Sequence, residues 1–261
     1  MIEDSVAPGV SGRILAIVCG IALLAACSRS TPTRWIEPTT GMEFALLPAG
    51  DFLAGSPPSE PGHQGDETQH RVRIERPLYM AAHEVTREQW ARVMSADAVA
   101  ADEKRLPQVN INWYDAQQFV NRLNSEQRWH FRLPSEWEWE YGCRAGTVTA
   151  YSTGQLLSTT EANYNGDGPL PGQASGENRR HTMPVGSFAP NQWGLFDMHG
   201  NVWEWTNDAY DAERKVIRGG SWRFNADSAR CALRYHHRPQ DSGDSLGLRI
   251  VRDLADEERA R

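Results

Sequence analysis

The chain reads as an α+β protein, loop-rich, with short antiparallel strands and about three helices. Three observations predict that class. Capping signals stand at three places, each ahead of apolar residues at helical spacing. The remaining apolar segments are short and alternating, bounded by glycine or proline, as strands and turns are. The 261 residues include 22 glycines and 10 tryptophans, which suits loops pinned by large aromatic anchors better than a helical bundle.

In chain order, the first feature is a run of 13 apolar residues, Ile14 to Ala26, behind Arg13. It is short for a membrane span, which takes about 20 residues, and suits the core of a signal peptide. Glu3 and Asp4 dilute the positive charge ahead of it. Leu24-Ala25-Ala26-Cys27 resembles a bacterial lipobox. That resemblance implies removal of residues 1–26, lipidation of Cys27, and, from Ser28, the outer membrane rather than the inner one. An uncleaved anchor or a chance apolar run is the alternative. The expected layout is then a tether over 27–41, one domain over 42–252 and a charged tail over 253–261, with no internal repeat or dividing linker.

Met42 to Phe52 alternates apolar residues with Pro48 and Gly50 and reads as strand and turn. Ser56 to His70 is dense in proline, glycine and charge, and reads as a surface loop. Thr86 with Gln89 is a capping box, and Val85, Trp90, Val93 and Met94 supply the buried side of the helix. Asn112 caps a second helix, with Trp113, Ala116, Phe119, Val120 and Leu123 at helical spacing. Ser135 with Glu138 opens a third, which Gly146 closes. Tyr151 to Met183 has weak periodicity and needs something other than strand ladders to hold it, metal ions being one candidate. The last third is short strands between glycine-rich turns: Val202 to Trp205 with both tryptophans on one face, Val216 to Arg218, and Leu248 to Val251.

Charge excludes one class of partner. The formal net charge is −7, and no basic run exceeds Arg179-Arg180, so no nucleic acid is expected as a ligand. The cysteines point to a compartment. With Cys19 in the removed segment and Cys27 lipidated, Cys143 and Cys231 remain in the body. Outside the cytoplasm two such cysteines are expected to pair, closing a loop of 88 residues with a stabilisation of about 4–5 kcal/mol. Two separate buried thiols remain the alternative on spacing alone.

Six segments in order carry a family resemblance: His83-Glu84-Val85-Thr86; Arg132-Leu133-Pro134-Ser135-Glu136 continuing to Tyr141; Pro190-Asn191; Gly194 through Asp197, Gly200 and Asn201 to Trp205; Arg218-Gly219-Gly220-Ser221-Trp222; and Leu246-Gly247-Leu248-Arg249. Together they resemble the formylglycine-generating enzymes, or sulfatase-modifying factors, over Met42 to Arg252. Leu248 stands where the family usually has phenylalanine. The resemblance implies an irregular, C-type-lectin-like α+β architecture. It also implies a Cys143–Cys231 bridge and structural calcium. One calcium set would be Asp197 and Glu204 with the carbonyls of Gly200 and Val202. The other would be Asn163 and the Tyr164 carbonyl with Glu177. Hard oxygen donors beside a close glycine turn are what calcium takes. The alternative is that Asp197 and Glu204 hydrogen-bond the turn and pair with arginines.

The oxidising members of that family use two cysteines shortly after the Arg-Gly-Gly-Ser segment, thought to bind copper(I). Here one position falls near Phe224 and the other near Ala229 or at a short deletion beside it, and neither is cysteine, so no copper and no formylglycine synthesis are expected. The eight histidines (His63, His70, His83, His130, His181, His199, His236, His237) show no i, i+4 pair, which speaks against the three-histidine iron site of the sulfoxide-synthase branch. A siderophore-maturation branch lacks the cysteines too. No Ser-His-Asp arrangement or phosphate-cradling loop is evident.

Between regular posts at Ala226, Arg230 to Ala232, Arg234 and Pro239, the chain sets out Arg223, Phe224, Asn225, Asp227, Ser228, Tyr235, His236, His237, Gln240, Asp241 and Ser242. Such a mixture suits adaptable recognition of a protein or peptide, and also resembles the variable region of ligand-displaying proteins diversified by retroelements. An ordinary solvated loop is the alternative. The expected function is a non-catalytic accessory or ligand-binding lipoprotein at the envelope, periplasm-facing or surface-exposed. The runner-up is a divergent oxidoreductase acting on a peptide or siderophore-like substrate in the periplasm.

Overall fold

Each predicted helix begins at its cap. In α1 (Arg87–Met94) the Thr86 hydroxyl accepts from the Gln89 N–H while the Gln89 side chain accepts from the Thr86 N–H. The same reciprocal pair starts α2 (Trp113–Glu126) at Asn112 and Asp115, and α3 (Glu136–Arg144) at Ser135 and Glu138. Two orphan helix donors are satisfied at each end by chemistry local in sequence. α3 ends one residue earlier than expected, since Ala145 is already left-handed at φ 45° ahead of Gly146 at φ 92°.

The computed structural model describes Met1, residues 33–126, 129–169, 171, 174–255 and Glu258. The apolar run 14–26, the lipobox-like Leu24 to Cys27 and the first part of the tether lie outside the described residues. No described helix is long and apolar enough to cross a membrane.

Eleven strands are described: β1 (Arg34–Ile36), β2 (Glu43–Leu47), β3 (Gly50–Ala54), β4 (His70–Ile74), β5 (Leu78–Ala81), β6 (His130–Arg132), β7 (Trp203–Ala209), β8 (Lys215–Arg218), β9 (Tyr235–His237), β10 (Leu246–Leu248) and β11 (Val251–Asp253). One sheet runs β1-β2-β5-β11-β6, antiparallel throughout. A second runs β10-β7-β8-β9, in which β10 lies parallel to β7. β3 and β4 form a separate antiparallel pair.

Both ends of the expected domain need correction. Part of the expected tether is folded: Trp35 pairs with Phe44 in β1–β2, and buried Glu37 accepts from the Thr39 and Thr40 N–H groups. The expected tail begins inside the sheet, because β11 lies between β5 and β6 and Leu254 is buried. The final strand expected over Leu248 to Val251 is two strands in two sheets, β10 and β11.

The main core packs α1, α2 and the first sheet around Phe44, Tyr79, Phe119, Phe131 and Trp205. A second core surrounds Trp139, Leu195, Met198 and the disulfide Cys143–Cys231, whose Cα atoms are 5.7 Å apart. Buried arginines cross-link the rest. Glu140 sits between Arg144 at 2.8 Å and Arg218 at 2.6 Å, all three nearly or fully excluded from solvent. Arg230 holds Glu60, Glu67 and the Gly62 carbonyl, so the Ser56–His70 loop is stapled into the body rather than merely solvated. The irregular stretch after Gly146 is held by a small cluster of Ala150, Tyr151, Leu157, Ala162, Tyr164, Ala226 and Ala229.

Candidate functional site

The segment following β8 is built on a close approach. Gly220 has φ 74°, and a Cβ there would lie 2.9 Å from the Ser228 carbonyl group. Only glycine lets the 3-10 turn Ala226–Ala229 pack against the end of β8. Ala226, Ala229, Cys231 and Ala232 are buried and fix the turn, and Arg230 anchors it to Glu60 and Glu67. On this frame Arg223, Phe224, Asn225 and Tyr235 are exposed, with Asp227, His236 and His237 half-buried. Ser228 corrects the expectation: it is buried, and its hydroxyl donates to the Asn225 carbonyl inside the turn.

The exposed rings emerge from a continuous aromatic ladder. Phe224 meets Trp203 edge-on at 5.7 Å, and Tyr235 stacks on Trp203 at 5.4 Å. His236 stacks on Tyr235 at 5.3 Å and touches Tyr210 at 4.3 Å. The two histidines diverge. His236 faces Arg214, and burial followed by that guanidinium lowers its pKa. His237 instead approaches Asp241 at 3.4 Å. They do not converge on one metal.

The positions expected for catalytic thiols hold an exposed ring, Phe224, and a fully buried methyl group, Ala229. The body's two cysteines are both buried in the disulfide. His199 completes a group with Cys143 and Cys231 whose ligand-type atoms lie within 4.8 Å, the one such group among the described residues. Its hydrogen bonds argue for structure. Nε2 accepts from the Ser152 N–H at 3.0 Å, so Nδ1 carries the proton and donates to the Ala229 carbonyl at 2.8 Å. Burial lowers its pKa to about 4. A neutral ring with both nitrogens committed offers no lone pair to a metal.

The fold also brings Ser56, His63 and Glu67 together, which spacing did not reveal. The Ser56 hydroxyl donates to Glu67 Oε2 at 2.7 Å, and His63 Nδ1 meets the Ser56 hydroxyl oxygen at 2.7 Å. The acid takes the serine proton directly and Ser56 is fully buried, so this is a loop staple, not an activated nucleophile.

The calcium expectations meet a divided set of residues. Glu204 is already engaged: Oε1 accepts from Arg249 Nη2 at 2.8 Å, and Oε2 from Trp139 Nε1 at 2.6 Å and Arg249 Nε at 2.9 Å. Its carboxylate is therefore engaged in a buried ion pair with Arg249. Asp197, left-handed at φ 56°, accepts from the Gly186 N–H. Burial raises its pKa to about 6, opposed by that bond and by Arg249. Glu84, within the His83 to Thr86 segment, carries no site signal of its own in the sequence. It is fully buried, with one oxygen on Asn201 and Oε2 without a partner. Burial, then the charge of Asp197, pushes its carboxyl well up.

The second set fits a hard cation better at one atom. Asn163 is buried, and its Nδ2 donates to Asn201 and the His181 carbonyl, leaving Oδ1 without a partner. Its carbonyl accepts from the Asn201 N–H at 2.8 Å, and a Cβ on Gly200 would lie 2.3 Å from it. The two oxygen sets thus meet at Gly200 and Asn201. Tyr164 is buried beside them, whereas Glu177 is exposed and paired with Arg179 at 3.0 Å.

Comparison with known proteins matches residues 33–254 to the sulfatase-modifying factor enzyme 1-like domain. The inactive C-alpha-formylglycine-generating enzyme 2 of Bos taurus is 32% identical over 64% of this chain and 57% of its own length. The formylglycine-generating enzyme of Mus musculus is 29% identical over 63% of this chain and 49% of its own length. The chain therefore spans about half the length of these curated relatives. The solved structure of PvdO from Pseudomonas aeruginosa superposes with a TM-score of 0.74 at 27% identity, covering 87% of this chain and all of that one.

Proposed function

The chain belongs to the sulfatase-modifying factor enzyme 1-like family, and from that premise we propose that it is a non-catalytic, ligand-binding member of it. The observation carrying this reading is the pair of positions after Gly219-Gly220. Phe224 is exposed and Ala229 is buried, while the body's two cysteines are locked in a buried disulfide. A dithiolate needs two free thiols at those places. The same frame presents Phe224, Tyr235 and the polar residues around them, a set suited to a protein or peptide ligand. The divergent-oxidoreductase reading is the alternative, and it does not depend on those thiols, since a siderophore-maturation branch of the family lacks them too.

We place the protein at the bacterial envelope, facing the periplasm or the surface and held by a lipid on Cys27, with the outer membrane favoured. The buried disulfide and the Leu24 to Cys27 sequence support that placement. Calcium is proposed for both sets, and the partnerless oxygen of Asn163 beside the Tyr164 carbonyl favours a cation most directly. Calcium there would be structural.

The test is capture of partners from membranes. The wild-type chain should retain a partner that Tyr235→Ala and His236→Ala release, with unchanged far-ultraviolet circular dichroism. An identical partner profile for all three proteins sinks this face as the binding surface. Mass spectrometry of a cysteine-containing sulfatase peptide incubated with the protein should show no aldehyde; an aldehyde ends the non-catalytic reading.

A further inference from the structure

Beside Phe224 lies an open basin of about 440 Å³, lined by Asn165, Asn178, Arg180, Trp222 and Arg223. Its two guanidinium groups are in different situations. Arg223 is ion-paired with Asp244 and lies over the Trp222 ring at 4.5 Å. Arg180 is exposed, and no carboxylate or carbonyl meets its guanidinium among the described residues.

The backbone separates Arg180 from its neighbour. Arg179 is drawn to Glu177, to the Thr159 carbonyl and over the Phe188 ring. Arg180 takes a left-handed φ of 61°, unfavourable for a residue with a Cβ, and lines the basin instead. The walls are tied to each other and to the displayed face. Asn178 donates to Asp167 at 2.7 Å, the Asp167 N–H donates to Asn165 at 3.0 Å, and the Asn165 N–H donates to the Phe224 carbonyl at 2.9 Å. The nearby carboxylates, Asp167 and Asp244, are engaged by Asn178 and Arg223. What remains is one unpaired guanidinium over a preformed wall of indole and amide groups.

We propose that this basin binds a carboxylate side chain of an acidic peptide segment, with Arg180 as its charged contact, and with Trp222 and Phe224 packing beside it. The proposal rests on the ligand-binding reading of the Arg223–Tyr235 face and names its ligand chemistry. A guanidinium fork matches a carboxylate in two parallel hydrogen bonds, and the flat indole suits the adjoining apolar part of a peptide. The chain's net charge of −7 opposes an anion at long range, but charges beyond about 8 Å are screened at physiological salt. Recognition is thus short-ranged and concentrated on Arg180.

Fluorescence anisotropy with a labelled Gly-Glu-Trp-Glu-Gly peptide and its glutamine analogue tests this on the whole mature chain. Arg180→Gly removes the guanidinium and accepts the left-handed backbone, so it should fold; Arg180→Lys keeps charge without the fork. The acidic peptide should bind, and the glutamine peptide should bind about tenfold more weakly or worse. Arg180→Gly should cost about tenfold, with Arg180→Lys intermediate. Equal affinity for the two peptides, no binding of either, or unchanged binding by Arg180→Gly overturns the proposal. So does full displacement by equimolar inorganic phosphate, which would mark a phosphate site. If Tyr235→Ala releases the membrane partner while Arg180→Gly binds the peptide normally, the face stands and the basin falls. If Arg180→Gly alone loses the peptide and Tyr235→Ala changes no partner, the basin stands and the wider face falls.

Discussion

Arg249 and Glu204 meet as a fully buried ion pair between the two sheets, Nη2 standing 2.8 Å from Oε1. The guanidinium also donates to the Ala81 carbonyl at the end of β5 and to the Phe196 carbonyl in the loop before β7. One cation therefore satisfies groups from three segments. Removing it strands a buried carboxylate, which typically costs about 3–5 kcal/mol. Arg249→Ala should lose stability on that scale in urea unfolding, and Glu204→Gln less, since an amide still accepts from Trp139. A loss below about 1 kcal/mol for Arg249→Ala would mean that water replaces the guanidinium at little cost.

Asp197 should make stability fall as pH rises. Its carboxyl is raised to about 6 in the fold, against about 3.9 unfolded. Between those values the folded state binds more protons than the unfolded state, so stability declines from pH 4 to pH 6 and then levels off. Asp197→Asn keeps an acceptor for the Gly186 N–H and removes the penalty. It should be more stable than wild type by about 1–3 kcal/mol at pH 7 and equal to it near pH 4. Denaturant midpoints at the two pH values measure this, and a constant difference refutes it.

His199 acts in the opposite sense. Its pKa is lowered to about 4 by burial, against an unfolded value of about 6.5. Below pH 6.5 the unfolded chain takes up a proton that the folded ring refuses, so stability is lost as pH falls towards 4. Nitrogen NMR of the ring should show one neutral tautomer, protonated at Nδ1, throughout pH 5–8. Titration near pH 6.5 would show instead that the ring is hydrated.

The disulfide closes a loop of 88 residues and joins α3 to the turn that carries the displayed face. Loop-closure entropy assigns it about 4–5 kcal/mol. Cys143→Ala with Cys231→Ala should lower stability by that order. In native buffer the wild-type bridge should resist reduction by small thiols, because neither sulfur is exposed to attack.

Legibility followed sequence distance. All three helix starts were readable because each cap and its partner stand three residues apart, as Asn112 and Asp115 do. Strand β1 was not. Trp35 between Arg34 and Ile36 looks like spacer until Phe44 lies opposite it. The staple of Arg230 to Glu60 and Glu67 spans 170 and 163 positions, and a charged loop reads the same whether stapled or solvated. Glu204 is the sharpest instance. A carboxylate beside glycine in a tight turn suggests an oxygen ligand on paper, and the approach of Arg249, 45 residues away, shows only in the fold.

Calcium should raise stability through Asn163. Its Oδ1 is buried without a partner, and an unmet acceptor of this kind costs about 1–3 kcal/mol. A bound cation would remove that cost and add its own binding free energy, which at a hundredfold excess over the dissociation constant is about 2.7 kcal/mol. Thermal unfolding in millimolar calcium should therefore show a midpoint several degrees above that in a chelator. Asn163→Ala deletes both the donor to Asn201 and the orphan oxygen, so it should lower the calcium-loaded midpoint and abolish the shift. Glu177→Ala separates two versions of the idea. A reduced shift means that Glu177 leaves Arg179 to reach the ion, and an intact one confines the ligands to Asn163, the Tyr164 carbonyl and solvent. An identical midpoint for the wild type in calcium and chelator would remove calcium from this chain altogether.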